Sequence, residues 1–258
     1  MNFDLQSEGT VVRTVRMMTL LAGLDGEIGV NQLADQVNLA PSTVHRLLKL
    51  LCDEGIAAWN PVTRGYSSGP ELYRLGARVV GAMPLPRIVE PLVRRLADEF
   101  DETVLFGLHL PREGEMAFVT RADGHQSLQY RIPLNEPTSL LWGASGKAIL
   151  AYLDRADIER VHAVAGSSPA TAAAKPSLAE LIAELEEVRR AGVAVTESQK
   201  LSGARGIGAP VFGPHGVVGC LVLTSPIDRM PHTGIAKAAD AIRATAAEVS
   251  GLLGRQGP

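Results

Sequence analysis

The chain has no excess of positive charge with which to attract a polyanion. Its 25 lysine and arginine residues stand against 28 aspartate and glutamate residues, which gives a net charge of −3 and a pI of about 6.1. The first seventy residues carry five basic and seven acidic side chains, a net charge of −2. Any contact with nucleic acid must therefore depend on where the basic side chains are placed, because their total creates no basic field.

Cysteine and long apolar segments are also scarce. The two cysteines, Cys52 and Cys220, lie far apart within apolar stretches, which is typical of buried thiols in a reducing compartment and argues against a disulfide framework. The N-terminus lacks the basic segment and apolar run of a signal peptide. No apolar stretch approaches the ~20 residues needed to cross a bilayer. We therefore expect a soluble, cytoplasmic protein without a membrane partner.

Motifs for nucleotide binding, metal binding and catalysis are incomplete. Residues 143–148 (GASGKA) are similar to a phosphate-binding loop, but Leu141 and Ala148 occupy positions where that motif needs glycine and Ser or Thr. Residues 203–208 (GARGIG) have their glycines in the wrong order for a dinucleotide fingerprint. The histidines show no paired metal-ligand spacing, and no Ser-His-Asp set can be assigned. We expect no metal, no cofactor and no enzymatic activity.

The length of 258 residues predicts two domains. A hydrophobic fraction of 46% with 21% charged residues is ordinary for a globular protein with real cores. The segment MPLP at residues 83–86 interrupts a helical pattern. We therefore predict an N-terminal domain over residues 1–70, a linker helix over 71–83 and a second domain over 84–258.

Three helical apolar stripes, each with the spacing 0, 3, 4 and 7, define the N-terminal domain. The stripes are Met17, Leu20, Leu21 and Leu24; Val30, Leu33, Ala34 and Val37; and Val44, Leu47, Leu48 and Leu51. Asn31 is a candidate N-cap of the second helix, Asn38 suits a left-handed turn after it, and Pro41 suits the first turn of the third. The segments IAAWN and GYSS around PVTR predict two short strands, which completes a winged helix-turn-helix.

The polar face of the third helix is the candidate DNA-binding surface. On a helical wheel Ser42, Arg46 and Lys49 lie opposite the apolar stripe, and Thr43 and His45 flank them. Such a distribution suits a recognition helix, whose N-terminal half contacts base edges and phosphates. Arg64, near the tip of the predicted wing, is a further candidate contact. Spacing alone also allows a solvated polar face, or a winged helix that docks on a protein.

The second half of the chain mixes strands with helices, which predicts an α+β domain with an antiparallel sheet. We predict strands over residues 103–110, 116–122 and 128–132, and a hairpin formed by 207–212 and 217–224 around the turn GPHG. Helices are expected over residues 87–100, 144–153 and 232–253. Ser177 and Glu180 form a capping-box pattern before one more helix.

Residues 33–55 (LADQVNLAPSTVHRLLKLLCDEG) and the following GYSSGPELYRLG resemble the N-terminal winged helix of the IclR family of bacterial transcription regulators. Three later segments are similar to the same family: LLWGASGKAILAYL, EVRRAGVAVTESQKLSGARGIGAPVF and GVVGCLVLTSP. The similarity spans residues 10–253, in order and at family spacing. It implies a DNA-binding domain, a linker helix used for dimerisation and a GAF-like effector-binding domain.

The resemblance also implies where a small-molecule effector binds. Carrying the family's pocket over by matched motif gives Ala144, Ser145, Thr196, Ala204, Gly206, Val222 and Thr224, and Tyr130 on the predicted 128–132 strand is a further candidate. Family members often have an acidic residue near Thr196 and a cysteine at the position of Gly206, so the absence of both leaves the effector's identity open. Free N–H groups at the start of the 144–153 helix would suit a carboxylate. The alternative is that Ser145 only caps this helix and Lys147 lies in solvent.

These observations predict an effector-controlled repressor of a catabolic operon, with a carboxylic or aromatic acid as effector. Its DNA partner is expected to be a pseudo-palindromic, double-stranded operator, bound by a homodimer or a dimer of dimers. Leu72, Leu75, Gly76 and Val79 give the linker helix an apolar stripe able to pair. A winged-helix protein that acts through protein contacts alone, or a GAF-like enzyme, are the alternative functions.

Overall fold

A computed structural model describes residues 9–82, 84–230 and 232–254. The chain forms two compact units, Met1–Met83 and Pro84–Pro258. The first unit contains helices α1 (Thr10–Ala22), α2 (Val30–Val37) and α3 (Pro41–Asp53), strands β1 (Ala57–Asn60) and β2 (Gly65–Ser68), and helix α4 (Pro70–Ala82). None of the helices in the described ranges is long and apolar enough to cross a membrane.

The first unit is a helix-turn-helix built on the three predicted stripes, which contribute to a single core. Asn38 ends α2 in the left-handed conformation (φ 51°, ψ 52°), and Pro41 opens α3, as predicted. The prediction that Asn31 caps α2 is wrong. The helix begins at Val30 with Gly29 at the N-cap, because this start lets Val30 pack against the core while the Gly29 carbonyl accepts a hydrogen bond from Leu33 N at 3.0 Å.

The predicted wing is confirmed as an antiparallel pair of β1 and β2. Its inner side is fixed by a bridge between Ile28 and Tyr66. Its turn is held by Glu27, whose carboxylate accepts hydrogen bonds from Asn60 Nδ2 at 2.7 Å and from the Thr63 hydroxyl. These hydrogen bonds lower the pKa of Glu27, with that from Thr63 the stronger cause. The wing is therefore anchored to the segment that precedes α2.

The second unit is the predicted α+β fold around a six-stranded antiparallel sheet. Its elements are α5 (Pro84–Phe100), β3 (Thr103–Leu110), β4 (Glu115–Ala122), β5 (Pro137–Ser139), α6 (Gly143–Leu150), α7 (Arg155–Val164), α8 (Leu178–Ala191), β6 (Ala194–Glu197), β7 (Ala204–Gly213), β8 (Gly216–Pro226) and α9 (His232–Leu252). The strands lie in the order β5-β4-β3-β8-β7-β6. The predicted hairpin is β7–β8, and the predicted capping box of Ser177 and Glu180 opens α8.

Helices cover both faces of this sheet. On one face Val104, Phe106 and Leu223 pack with residues of α5 and α9. On the other face Leu105 and Val222 pack with residues of α6, α7 and α8. Neighbouring residues of one strand thus enter two different cores, which explains why these strands read as continuous apolar runs without an alternating polar face.

The predicted strand over residues 128–132 is wrong. This segment belongs to an irregular connection between β4 and β5. Its backbone carbonyls bond to side chains from elsewhere in the fold: Arg229 Nη2 donates to Leu128 O at 3.0 Å, and Arg121 Nη1 donates to Ile132 O at 3.5 Å. The strand that pairs with β4 at the sheet edge is instead the short β5. Helix α6 ends at Leu150, three residues before the predicted end.

Candidate functional site

The outer face of α3 presents the residues that the sequence predicted for DNA contact. Ser42, His45, Arg46 and Lys49 are exposed, and Thr43 is half-buried. Val44, Leu47, Leu48 and Leu51 hold the opposite face in the core. In the described part of the chain, no hydrogen bond or ion pair engages the charged ends of Arg46 or Lys49. Both cations are therefore available to an external partner.

The acidic side chains of α3 and of the residue after it lie at the C-terminal end of the helix. Asp53 ends the helix and Glu54 follows it. Asp53 lies seven residues beyond Arg46, about 10 Å along the helix axis. Arg64 is exposed and has a left-handed backbone (φ 56°) at the end of the wing turn. The first unit thus offers separate points of positive charge on a helix and on a wing, despite its net negative charge.

A cavity of about 220 Å³ lies in the second unit, on the α6 side of the sheet. Its walls come from the sheet, the start of α6, the segment before β5 and the connection from β6 to β7. The lining residues are Phe118, Arg131, Ile132, Pro133, Glu136, Pro137, Thr138, Gly143, Ala144, Ser145, Thr196, Gln199, Lys200, Leu201, Ala204, Gly206, Val222 and Thr224. The walls are mostly apolar with a few polar groups, the usual composition of a small-molecule site.

Three residues that are paired across neighbouring strands form the floor of the cavity. Gly206 on β7 lies directly between Thr196 on β6 and Thr224 on β8. A Cβ atom added to Gly206 would lie 3.1 Å from Ala144 Cβ and 3.6 Å from Thr196 Oγ1. The absence of a side chain at Gly206 therefore allows Ala144, in the first turn of α6, to lie close against the middle of this row.

Seven of the eight residues assigned to effector binding by resemblance line this one cavity: Ala144, Ser145, Thr196, Ala204, Gly206, Val222 and Thr224. Tyr130 is not among the lining residues. Its segment is not a strand of the sheet, and its hydroxyl donates a hydrogen bond to Ser202 O at 3.3 Å. Tyr130 therefore holds the connection between β6 and β7 from outside the cavity.

The start of α6 differs from the alternative prediction, in which Ser145 caps the helix and Lys147 lies in solvent. The helix begins at Gly143, and its first N–H donates to Gln199 Oε1 at 3.2 Å. Ser145 is buried in the first turn and is not the cap. Lys147 is buried and not in solvent: it pairs with Glu184, and burial lowers its pKa. Polar groups of α6 are thus tied to neighbouring elements.

Lys200 is a lining residue that the sequence analysis did not identify. Lys200 is half-buried, and its ammonium donates to Ser139 O at 3.3 Å and lies 5.9 Å from the centroid of the Phe118 ring. Burial lowers the pKa of Lys200 to about 8. Its place in the segment leading into β7 was the available signal, but the direction of its side chain depends on contacts distant in sequence.

The buried carboxylate of Glu102 binds Arg229, which in turn bonds to the connection between β4 and β5. Glu102 Oε2 accepts a hydrogen bond from Arg229 Nη1 at 2.9 Å, and the other Arg229 nitrogen bonds to Leu128 O. Glu102 is 5% exposed. Burial raises the pKa of Glu102 to about 7, against the opposing attraction of Arg229. The strength of this ion pair therefore depends on pH near neutrality.

The shift at Glu102 predicts a pH dependence of folding. Because the pKa is raised from 4.5 to about 7 in the fold, the unfolded chain releases this proton first, and the free energy of unfolding should fall as pH rises across that window. Glu102→Gln should remove this component. Urea unfolding at about pH 5 and about pH 8 would measure this component: the fall in the free energy of unfolding between the two pH values should be smaller in the variant. Equal pH dependence in the two proteins would contradict the assignment.

Comparison with known proteins gives one family for both units. Residues 10–61 match the IclR helix-turn-helix domain, and residues 77–251 match the C-terminal domain of the bacterial transcriptional regulator IclR. The regulator BhcR of Paracoccus denitrificans is 27% identical over 240 residues, which cover 92% of this chain and 85% of BhcR.

Solved structures share the fold over nearly the whole chain. An IclR-type regulator structure from Silicibacter sp. TM1040 has a TM-score of 0.88 and 25% identity, covering 97% of this chain and 98% of that one. An IclR homologue from Microbacterium hydrocarbonoxydans, complexed with 4-hydroxybenzoate, has a TM-score of 0.77 and 18% identity, covering 95% and 99%. With both of its domains matched, the chain belongs to the IclR family of DNA-binding bacterial transcription regulators.

Proposed function

We propose that the protein represses a catabolic operon by binding a pseudo-palindromic operator through α3 and the wing, and that a small-molecule effector controls this binding. The observation that carries the proposal is the cavity, in which seven positions implied by family resemblance meet at one site. Repression is the commoner mode implied by that family. The protein acts as a regulator and not as an enzyme.

The effector is a small carboxylic or aromatic acid. Phe118, Ile132 and Val222 provide apolar walls, and Lys200 provides positive charge. Such a cavity suits a compact apolar body with one anionic end. The 4-hydroxybenzoate complex of a homologue with the same fold supports this class of ligand.

Control of the operon is a linkage between two binding equilibria. A ligand that binds one arrangement of the protein more tightly shifts the population toward that arrangement, and with it the affinity for operator. A coupling free energy of ~1–3 kcal/mol changes operator affinity ~5- to 150-fold. Gel-shift titration with the upstream intergenic DNA tests the proposal. If that DNA is bound no more tightly than unrelated DNA, a protein-docking role is favoured instead.

We expect dimerisation through α4, because Leu75 and Val79 of its apolar stripe are exposed while Leu72 packs against the core of the first unit. Leu75 is 39% exposed and Val79 is 56% exposed. Leu75→Glu with Val79→Glu should place charges in the paired surface and give a 27.4 kDa monomer in sedimentation velocity at micromolar concentration. The matched control is Ala77→Glu, which adds charge on the other side of α4 and should leave the dimer intact. A monomeric unmodified protein would contradict this prediction.

A further inference from the structure

Lys200 is a cation that the fold leaves without a counter-ion. In the described parts of the chain it makes no ion pair, and its partners are one backbone carbonyl and the face of Phe118. The nearby thiol of Cys220 is uncharged, because burial raises its pKa to about 12. Lys147, by contrast, is paired with Glu184. A partly desolvated charge without a partner is unfavourable for folding, so its presence requires another explanation.

The backbone is shaped to accept the Lys200 side chain. Gly143 opens α6 with a φ of +81°, a conformation that side chains disfavour. A Cβ atom added there would lie 3.2 Å from Lys200 Cβ and within 3.8 Å of its Cδ and Cε. The aliphatic stem of Lys200 therefore lies over the first residue of α6, which directs the ammonium along the cavity wall.

The charges of the lining favour an anion at Lys200. Arg131 and Glu136 are both exposed, whereas Lys200 is half-buried. The floor residues Thr196 and Thr224 are uncharged. The lining carboxylate of Glu136 forms no ion pair with Lys200 in the described structure, and water screens the charge of Lys200 less than it screens the exposed charges of Arg131 and Glu136.

We propose that Lys200 determines the ligand specificity of the cavity by forming an ion pair with the anionic group of the ligand. The ligand class is a small monoanionic carboxylate whose apolar body lies against Phe118 and Val222. This inference rests on the proposed function, because it concerns the effector cavity. It adds the residue that distinguishes an acid from its uncharged analogue.

Matched pairs of acids and amides test the proposal. The probes are benzoate and benzamide, 4-hydroxybenzoate and 4-hydroxybenzamide, and propionate and propionamide. At least one acid should raise the Tm of the unmodified protein more than its amide does. Lys200→Met should weaken binding of that acid by about 10- to 100-fold, as expected for loss of a charge-assisted hydrogen bond, and should leave binding of the amide unchanged. Lys200→Arg should retain the preference for the acid.

Arg131→Gln is the matched control, because it removes an exposed cation from the same cavity and should change acid binding only about 2- to 3-fold. The ligand-free Tm gives a separate measurement. Lys200→Met should melt at or above the temperature of the unmodified protein if the ammonium serves the ligand, and below it if Lys200 has a structural role.

Three results would overturn the assignment: no acid stabilises the protein more than its amide, Lys200→Met binds the acid as tightly as the unmodified protein, or Arg131→Gln loses more affinity than Lys200→Met. Operator binding, measured by gel shift, distinguishes failure of the Lys200 assignment from failure of the proposed regulatory function. Lys200→Met should still bind operator, whereas an unmodified protein that does not bind operator would overturn the regulator proposal itself.

Discussion

Arg46→Ala is expected to reduce specific operator affinity by ~1–3 kcal/mol, about 5- to 150-fold. Arg46 is exposed opposite the buried stripe of α3, in the half of a recognition helix that enters the major groove. A guanidinium can donate two hydrogen bonds to guanine, so its loss should also relax the preference at one base position. Fluorescence anisotropy with operator variants would measure both effects.

Lys49→Ala and Arg64→Ala should behave differently from Arg46→Ala. If they contact phosphates, they should weaken binding to all sequences alike and reduce the salt dependence. Arg155→Ala in the second unit, whose exposed side chain pairs with Glu159, is the control for loss of surface charge and should bind as the unmodified protein does. Unchanged operator binding in all three α3 and wing variants, with unchanged melting temperatures, would exclude this surface.

Filling the cavity is expected to abolish the effector's influence on DNA binding. Ala204→Phe or Gly206→Trp would place a ring at the wall of the cavity of about 220 Å³, which both residues line. Operator affinity without effector should stay nearly unchanged, because neither residue belongs to the DNA-binding unit. Gel shifts with and without an acid that stabilises the unmodified protein would measure the response.

Melting curves distinguish cavity filling from damage to the fold. If these positions belong to a packed core, the same substitutions should overpack it and cost ~1–3 kcal/mol of stability. Val195→Phe is the control, because Val195 lies next to Thr196 on β6 and is 44% exposed. It should keep both stability and response. A large loss of stability with the response retained would mean that the ligand binds elsewhere.

The elements that sequence predicts well are those set by local interactions. The turn at Asn38, the start of α3 at Pro41 and the capping box of Ser177 each depend on residues a few positions apart. The apolar stripes of α1 to α3 are similarly local, since helical period alone determines which side chains share a face. Family resemblance then supplied seven of the eighteen residues that line the cavity, which no local pattern marks.

The features that sequence missed depend on distant partners. Residues 128–132 alternate like a strand, yet their carbonyls are taken by Arg121 and Arg229. The sequence predicts Lys147 as a surface residue, but in the structure it pairs with Glu184, which is 37 positions away. The side chain of Lys200 lies over Gly143, which is even more remote in sequence. Pairings of this kind are set by tertiary packing, which single-sequence patterns do not contain.

The missing side chain in the floor row has an evolutionary consequence. Because Gly206 lies within a paired strand and Ala144 lies close against it, a substitution there changes the cavity lining without changing the strand register. A small residue would need only a shift of a few tenths of an ångström from Ala144. Single-base changes in a glycine codon reach alanine, serine, cysteine, valine and acidic residues. A substitution at this one position thus changes which small molecules fit the cavity, while the sequence of the DNA-binding unit stays the same.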